Sequence, residues 1–230
     1  MSDDRDAPTP FEAHEETRFT DWLRVRTAER WDAAVTHRFT EELAADTIDD
    51  DVFRRYLVQD YAFVGDLTGL IGHAAGDAPT VAARRRLAEF LTVVCTDEDE
   101  YFRRSFDALG VPEADRTEPT LTPTTAAFSD LVWRAARTGY PDALAVLVPA
   151  EWVYLTWGER ATSGDRPDRF YLAEWIDLHS GPTFSGTVDW LRGQLDSIGP
   201  SLSPRQQRRV ARLFERTVEL EVAFFESAYG

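Results

Sequence analysis

Apolar residues recur at a helical spacing along most of the chain. Between residues 11 and 39 they fit a helical stripe better than the alternation of a strand: Phe19, Trp22, Leu23, Val25, Trp31, Ala34 and Val35. The same periodicity predicts helices over residues 52–76, 79–109, 124–138, 141–161, 171–179, 183–198 and from Pro204 to the C-terminus. Sustained β-type alternation and internal repeats are absent from the sequence, so the pattern predicts an all-α bundle of seven or eight helices.

Polar and proline-rich stretches mark the ends of these helices. Residues 1–10 hold two prolines and no apolar pattern, which is typical of a loosely packed acidic tail. Residues 112–123 hold three prolines and form the clearest loop, which is too short to prove a domain boundary. Thr47 or Asp49 is expected to cap the helix that follows. We therefore predict a single helical domain over residues 11–230.

The charge of the chain is its strongest global feature. There are 41 acidic and 25 basic residues, for a net charge of −16, and all 25 basic residues are arginine. Such a surface repels nucleic acid and resembles that of proteins from salt-loving cells. Neither a membrane span of roughly 20 apolar residues nor a signal peptide is apparent, so we expect a cytoplasmic protein without membrane attachment. The lone cysteine, Cys95, excludes an intramolecular disulfide framework, and a buried structural thiol is expected.

Three carboxylates lie within apolar helical stretches. Glu151 is surrounded by core-type residues and shares a helix face with Ala150 and Tyr154. Asp60 and Glu221 have aromatic neighbours on their own helices. A carboxylate in such surroundings loses hydration, which a hydrogen-bonded partner or ligand must replace. The alternatives are that Glu151 sits on a solvated edge and that Asp60 pairs with an arginine. By contrast, the acidic cluster over residues 97–100 is expected to be solvated.

A metal or haem centre is not expected. Di-iron bundles carry Glu-x-x-His pairs, whereas the residues three positions before His14, His37, His73 and His179 are Phe11, Ala34, Leu70 and Ile176. His14 and His37 are the obvious axial candidates for haem, and each is better explained as a surface or capping residue. The remaining possibility is acid/base catalysis without a cofactor. The substrate would be small and cationic or amidine-like, and it would stack on aromatic side chains.

Four short stretches carry a resemblance to a known family. Residues 57–63 (LVQDYAF), 147–154 (LVPAEWVY), 175–177 (WID) and 224–229 (FFESAY) are similar to signature stretches of the TenA/thiaminase II family, and order and spacing agree over residues 19–229. The resemblance implies a haem-oxygenase-like fold and a homo-oligomer, either tetramer or dimer. It also implies hydrolysis of the bond between an aminopyrimidine's methylene and its amine, in thiamin salvage.

The resemblance also implies roles for individual residues. Asp60 matches the aspartate that hydrogen-bonds the aminopyrimidine edge, Tyr154 the tyrosine near the reacting carbon, and Glu221 the catalytic glutamate. The tyrosines that stack on the substrate or hydrogen-bond to it in the family are replaced in this chain by Phe63, Phe128 and His179.

The main departure from the family pattern is Ala150, which replaces the nucleophilic cysteine of the thiaminase-type members. Without a thiol the covalent route is closed. Glu151 follows directly, and the motif resembles that of a cysteine-less branch in which a glutamate marks the site.

The resemblance therefore implies a hydrolase that acts on 4-amino-5-aminomethyl-2-methylpyrimidine or its N-formyl derivative. Glu221 and Glu151 would share the acid and base roles, while Asp60, Phe63, Phe128, His179 and Ala150 would surround the substrate. Two alternatives stay open at this point. One is a protein that binds a pyrimidine without cleaving it, and the other is a cofactor-free oxidase or haem-handling protein on the same fold.

The charge predicts that ionic strength controls stability. Surplus carboxylates repel one another when few counter-ions screen them, so the melting temperature should rise from millimolar to multimolar KCl. Thermal melts followed by circular dichroism test this expectation. A melting temperature that is unchanged across that range would contradict adaptation to salt.

Overall fold

The computed structural model describes Phe11 and residues 18–230; the predicted tail over residues 1–10 and His14 lie outside the described residues. Within that part of the chain every regular element is a helix, which confirms the all-α prediction. The α-helices are α1 (Phe19–Arg26), α2 (Ala28–Val35), α3 (Arg38–Ala44), α4 (Asp50–Asp77), α5 (Val81–Val93), α6 (Asp99–Ala108), α7 (Glu113–Thr117), α8 (Pro123–Ala136), α9 (Tyr140–Ala161), α10 (Phe170–Ser180), α11 (Pro182–Ile198) and α12 (Pro204–Ser227). A π-helix (Val94–Glu98) joins α5 to α6, and a 3₁₀ turn (Gly199–Ser201) follows α11.

Helix α9 lies at the centre of the bundle. Most of its residues are buried on every side, and it packs against α2, α3, α4, α8, α10, α11 and α12. Gly139 precedes it with a φ of 124°, a conformation that favours glycine and makes the sharp turn before Pro141 possible. Pro149 lies inside α9 and has no N–H to donate to the carbonyl four residues earlier. An apolar helix enclosed in this way keeps the polar side chains it carries away from water.

The caps of three helices are residues that the sequence suggests for this role. Of the two candidates before α4, Asp49 is the cap, because its carboxylate accepts the N–H of Asp51 at 2.7 Å. Ser203 and Gln206 form a capping box at α12, with Pro204 in the first turn. The imidazole of His37 caps α3 by accepting the N–H of Phe39, as expected of a capping histidine.

The single helical stripe expected over residues 11–39 is wrong in detail. The chain breaks at Thr27 and Thr36, which separate α1, α2 and α3. The hydroxyl of Thr27 donates to the carbonyl of Arg24, and that of Thr36 to the carbonyl of Asp32. Threonine side chains that hydrogen-bond the preceding turn in this way compete with continued helix.

The segment over residues 79–109 also differs from the single helix expected. It divides into α5, the π-helix and α6, and the hydroxyls of Thr92 and Thr96 each donate to the carbonyl four residues earlier. Cys95 lies on the π-helix and is exposed, so the expectation of a buried thiol is wrong. The loop expected over residues 112–123 contains the short helix α7. Across the described residues, no helix is long and apolar enough to cross a bilayer.

Helices α9 and α10 approach each other closely at Gly158. A Cβ atom added there would lie 2.6 Å from the carbonyl oxygen of His179, which belongs to the backbone and has little freedom to move. This close contact fixes His179 against α9.

We predict that Gly158→Ala lowers the free energy of unfolding by about 1–3 kcal/mol, because the two helices must separate to admit the methyl group. Gly72→Ala in α4 is the matched control: that position is exposed with nothing within 4 Å, and alanine there should stabilise by about 0.5–1 kcal/mol. Urea denaturation of both variants measures the difference. Equal stabilities for the two variants would contradict the close packing.

Candidate active site

Four carboxyl groups from four elements line one cavity. They belong to Asp60 of α4, Glu98 of the π-helix, Glu151 of α9 and Glu221 of α12. The rest of the wall is mainly aromatic and aliphatic, and the cavity, counted with its open mouth, encloses about 630 Å³ between atoms. A concave site with apolar walls and a few polar groups is typical of a small-molecule site.

Three of these carboxyl groups are shielded from water. Glu221 is 1% exposed, Asp60 4% and Glu151 8%. The alternative of Glu151 on a solvated edge is therefore wrong. So is the pairing of Asp60 with an arginine: among the described residues nothing hydrogen-bonds to its buried Oδ2. Burial of this kind leaves an acceptor available to a ligand.

Burial and mutual repulsion raise the pKa of these groups well above their ordinary values. Desolvation is the largest cause for Asp60, Glu151 and Glu221 alike. Repulsion between negative charges adds to this effect. Glu98 raises the pKa of Asp60 and Glu151, while Asp60 and Glu151 raise the pKa of Glu221. The described residues that line the cavity include no arginine. The site therefore favours protonated carboxyl groups or a bound cation.

Tyr154 lines the cavity and joins it to the core. Its hydroxyl lies 2.7 Å from that of Tyr56, which is fully buried behind it. The two phenols thus form a hydrogen-bonded pair between α4 and α9, and burial raises the pKa of both.

His179 lines the cavity in its neutral form. Burial lowers its pKa to about 4, and its Nδ1 lies 2.8 Å from the carbonyl oxygen of Trp175. Because a carbonyl only accepts, Nδ1 carries the proton and Nε2 is an acceptor. The ring lies 4.9 Å from that of Tyr154. His179 can therefore accept a hydrogen bond from a substrate N–H.

The remaining predicted residues fall into two layers. Phe63 and Ala150 line the cavity directly. Phe128 is buried behind Phe63, with ring centroids 4.4 Å apart, and supports that ring from outside the cavity wall. Cys95 is exposed on another element, so the exposed thiol does not take the place of the missing one at Ala150.

Glu98 is a charged lining residue that the sequence does not predict, because the acidic cluster over residues 97–100 has the pattern of a solvated face. The cluster is divided: Asp97 and Glu100 are exposed, whereas Glu98 turns into the cavity, and burial raises its pKa to about 7. A signal was present in the periodicity. Glu98 follows the buried Val94 by four positions and precedes the buried Tyr101 by three, which places it on the apolar stripe.

The arrangement is suited to acid/base chemistry on a small cationic ring. Across Phe11 and residues 18–230, no three His, Cys, Asp or Glu side chains are arranged to hold a metal ion. Closely spaced carboxyl groups with raised pKa values can supply a proton donor and a base at neutral pH.

Comparison with known proteins supports the same chemistry. A family model described as TENA/THI-4/PQQC matches residues 24–230. An aminopyrimidine aminohydrolase from Halalkalibacterium halodurans is 25% identical over 207 residues, which are 87% of this chain and 90% of that protein. An aminopyrimidine aminohydrolase from Bacillus subtilis is 22% identical over 213 residues, with 92% and 90% covered.

Solved structures share the fold. A TenA homologue from P. horikoshii superposes with a TM-score of 0.81 at 23% identity, covering 93% of this chain and 99% of that one. A TenA homologue from Pyrococcus furiosus gives 0.83 at 20% identity, with 92% and 100% covered. The fold is thus the haem-oxygenase-like bundle that the sequence resemblance implied.

The raised pKa of Glu98 predicts a pH-dependent stability. Its carboxyl group ionises near pH 7 in the fold and near pH 4.5 in an unfolded chain, so the fold loses stability as the pH rises through this window. Glu98→Gln removes that loss. The variant should match the wild type near pH 4 and exceed its free energy of unfolding by on the order of 3 kcal/mol at pH 8.

Urea denaturation at the two pH values measures this difference. Glu100→Gln, at an exposed position of the same cluster, is the control and should differ little from the wild type at either pH. A Glu98→Gln variant that gains nothing at pH 8 would show that the carboxyl group is solvated.

Proposed function

The chain belongs to the TENA/THI-4/PQQC family, and on that premise we propose that it is an aminopyrimidine aminohydrolase of thiamin salvage. Its substrate would be 4-amino-5-aminomethyl-2-methylpyrimidine or the N-formyl derivative. The observation that carries the proposal is the convergence of Asp60, Glu151 and Glu221 on one aromatic cavity whose described lining holds no arginine. Such a cavity suits a small aromatic ring rich in N–H donors.

Asp60 would hold the pyrimidine. The amidine edge of an aminopyrimidine presents N–H groups side by side, which suit the two oxygens of a carboxylate. Oδ2 of Asp60 lacks a hydrogen-bond partner among the described residues, so a ligand N–H would satisfy it. The ring would lie between Phe63 and Tyr154, with Nε2 of His179 as a further acceptor.

Glu221 and Glu151 would carry the proton transfers. One carboxylate takes a proton from a water molecule while the oxygen of that water forms a bond to the exocyclic methylene carbon. The C–N bond breaks and the nitrogen leaves with the electron pair. The other carboxyl group donates a proton to the neutral nitrogen of the N-formyl substrate, whereas an aminomethyl group that is already protonated donates a hydrogen bond to that group and leaves directly as ammonia. The products are the hydroxymethylpyrimidine and ammonia, or formamide from the N-formyl substrate. The mutual repulsion of Glu221 and Glu151 supports this division of roles, because it favours one protonated and one ionised carboxyl group.

The alanine at position 150 limits the chemistry. A route through a covalent pyrimidinyl adduct needs a nucleophile at the cavity wall, and Ala150 provides none. We therefore assign the chain to the cysteine-less branch marked by Glu151, with direct attack by water. Thiamin itself is then a poor substrate.

Three further expectations remain proposals. The acidic, lysine-free composition supports operation at high salt, and the sequence supports a cytoplasmic location. The resemblance to the family supports a homo-oligomer, which is either a tetramer or a dimer.

We predict that Glu151→Gln and Glu221→Gln each lower kcat by roughly 10²- to 10⁴-fold, the usual contribution of a positioned acid or base. Aminopyrimidine binding should change little, since glutamine keeps the shape of the wall. Ammonia release measures turnover and calorimetry measures binding. Glu226→Gln, at an exposed position on the same helix as Glu221, is the control and should retain full activity.

Near-normal turnover in both variants would contradict the assignment of the two glutamates. A wild-type protein that binds the aminopyrimidine but releases neither ammonia from the aminomethyl substrate nor formamide from the N-formyl substrate would be a binding protein, and the hydrolase proposal would fail.

A further inference from the structure

Glu98 differs from the other three acids in its position along the cavity. It is partly exposed, whereas Glu221, Asp60 and Glu151 are buried. Val93, five residues earlier in the chain, lines the same cavity and is 39% exposed. Glu98 therefore stands at the mouth, with the other carboxyl groups deeper inside.

Exposure gives the order of the four groups. Glu98 is partly exposed, Glu151 is 8% exposed, Asp60 4% and Glu221 1%, so exposure falls from Glu98 to Glu221. If Asp60 holds the pyrimidine edge in the buried part of the cavity, the substituent that differs between substrates would face the open side, where Glu98 lies.

We propose that Glu98 is a specificity-determining residue, whose carboxylate at the cavity mouth accepts hydrogen bonds from a protonated amine on the leaving side of the substrate. The inference rests on the proposed function and deepens it by selecting one substrate class. A primary aminomethyl group is cationic at neutral pH, whereas its N-formyl derivative is neutral. A phosphorylated pyrimidine is not expected to bind. The described lining holds no arginine to pair with a phosphate, and the four acidic side chains would repel it.

The test compares two substrates in the wild type and in Glu98→Gln. With the aminomethylpyrimidine, the variant should lose roughly 10- to 100-fold in kcat/KM, mainly through KM, as expected when a hydrogen bond to a charged group is removed. With the N-formyl derivative, kcat/KM should stay within about threefold. Glu98→Asp keeps the charge and should restore part of the preference. Glu100→Gln, exposed in the same acidic cluster, should behave as the wild type.

A binding measurement separates this inference from the proposed hydrolysis. Calorimetry compares the cationic aminomethylpyrimidine with the neutral hydroxymethylpyrimidine. The wild type should bind the cation more tightly, and Glu98→Gln should remove that preference. This result is expected even if the wild type does not cleave the aminomethylpyrimidine. Equal losses for both ligands, or an unchanged preference in the variant, would overturn the role of Glu98.

Discussion

The constraint on which the structure depends is the burial of several carboxyl groups without a cationic side chain in the cavity wall. Taking a carboxylate out of water costs several kcal/mol unless a partner replaces the lost hydration. For Asp60, Glu151 and Glu221 that partner is not a cationic side chain of the described residues, since no arginine lines their cavity. The fold therefore holds these groups in a state that a cationic, N–H-rich ligand would stabilise.

Rigid packing is what allows the chain to sustain this arrangement. Helix α9 is enclosed by neighbours on every side, and the contact of Gly158 with the backbone of His179 fixes α10 against it. Phe128 supports Phe63 from behind, and Tyr56 holds Tyr154. The side chains at the cavity wall are thus positioned by residues that never reach the cavity. Such support is needed if the acid and base groups are to keep their geometry during turnover.

The sequence predicted the fold class and most of the cavity because both follow from helical periodicity. Glu151, Asp60 and Glu221 could be identified since each stands among apolar positions of a long helix. Glu98 was missed because three acidic neighbours outweighed its place between Val94 and Tyr101. The helix breaks at Thr27 and Thr36 were missed because they depend on side-chain hydrogen bonds to the preceding turn, which apolar spacing does not encode. Likewise, no local pattern tells whether a lone cysteine such as Cys95 faces the core or water.

The most direct test of the account is a crystal structure of Glu221→Gln bound to 4-amino-5-aminomethyl-2-methylpyrimidine. The ring is expected between Phe63 and Tyr154, with the amidine edge on the carboxylate of Asp60 and the aminomethyl nitrogen on the side of Glu98 and Glu151. A pyrimidine bound outside this cavity, or inside it with Asp60 still without a partner, would contradict the central claim.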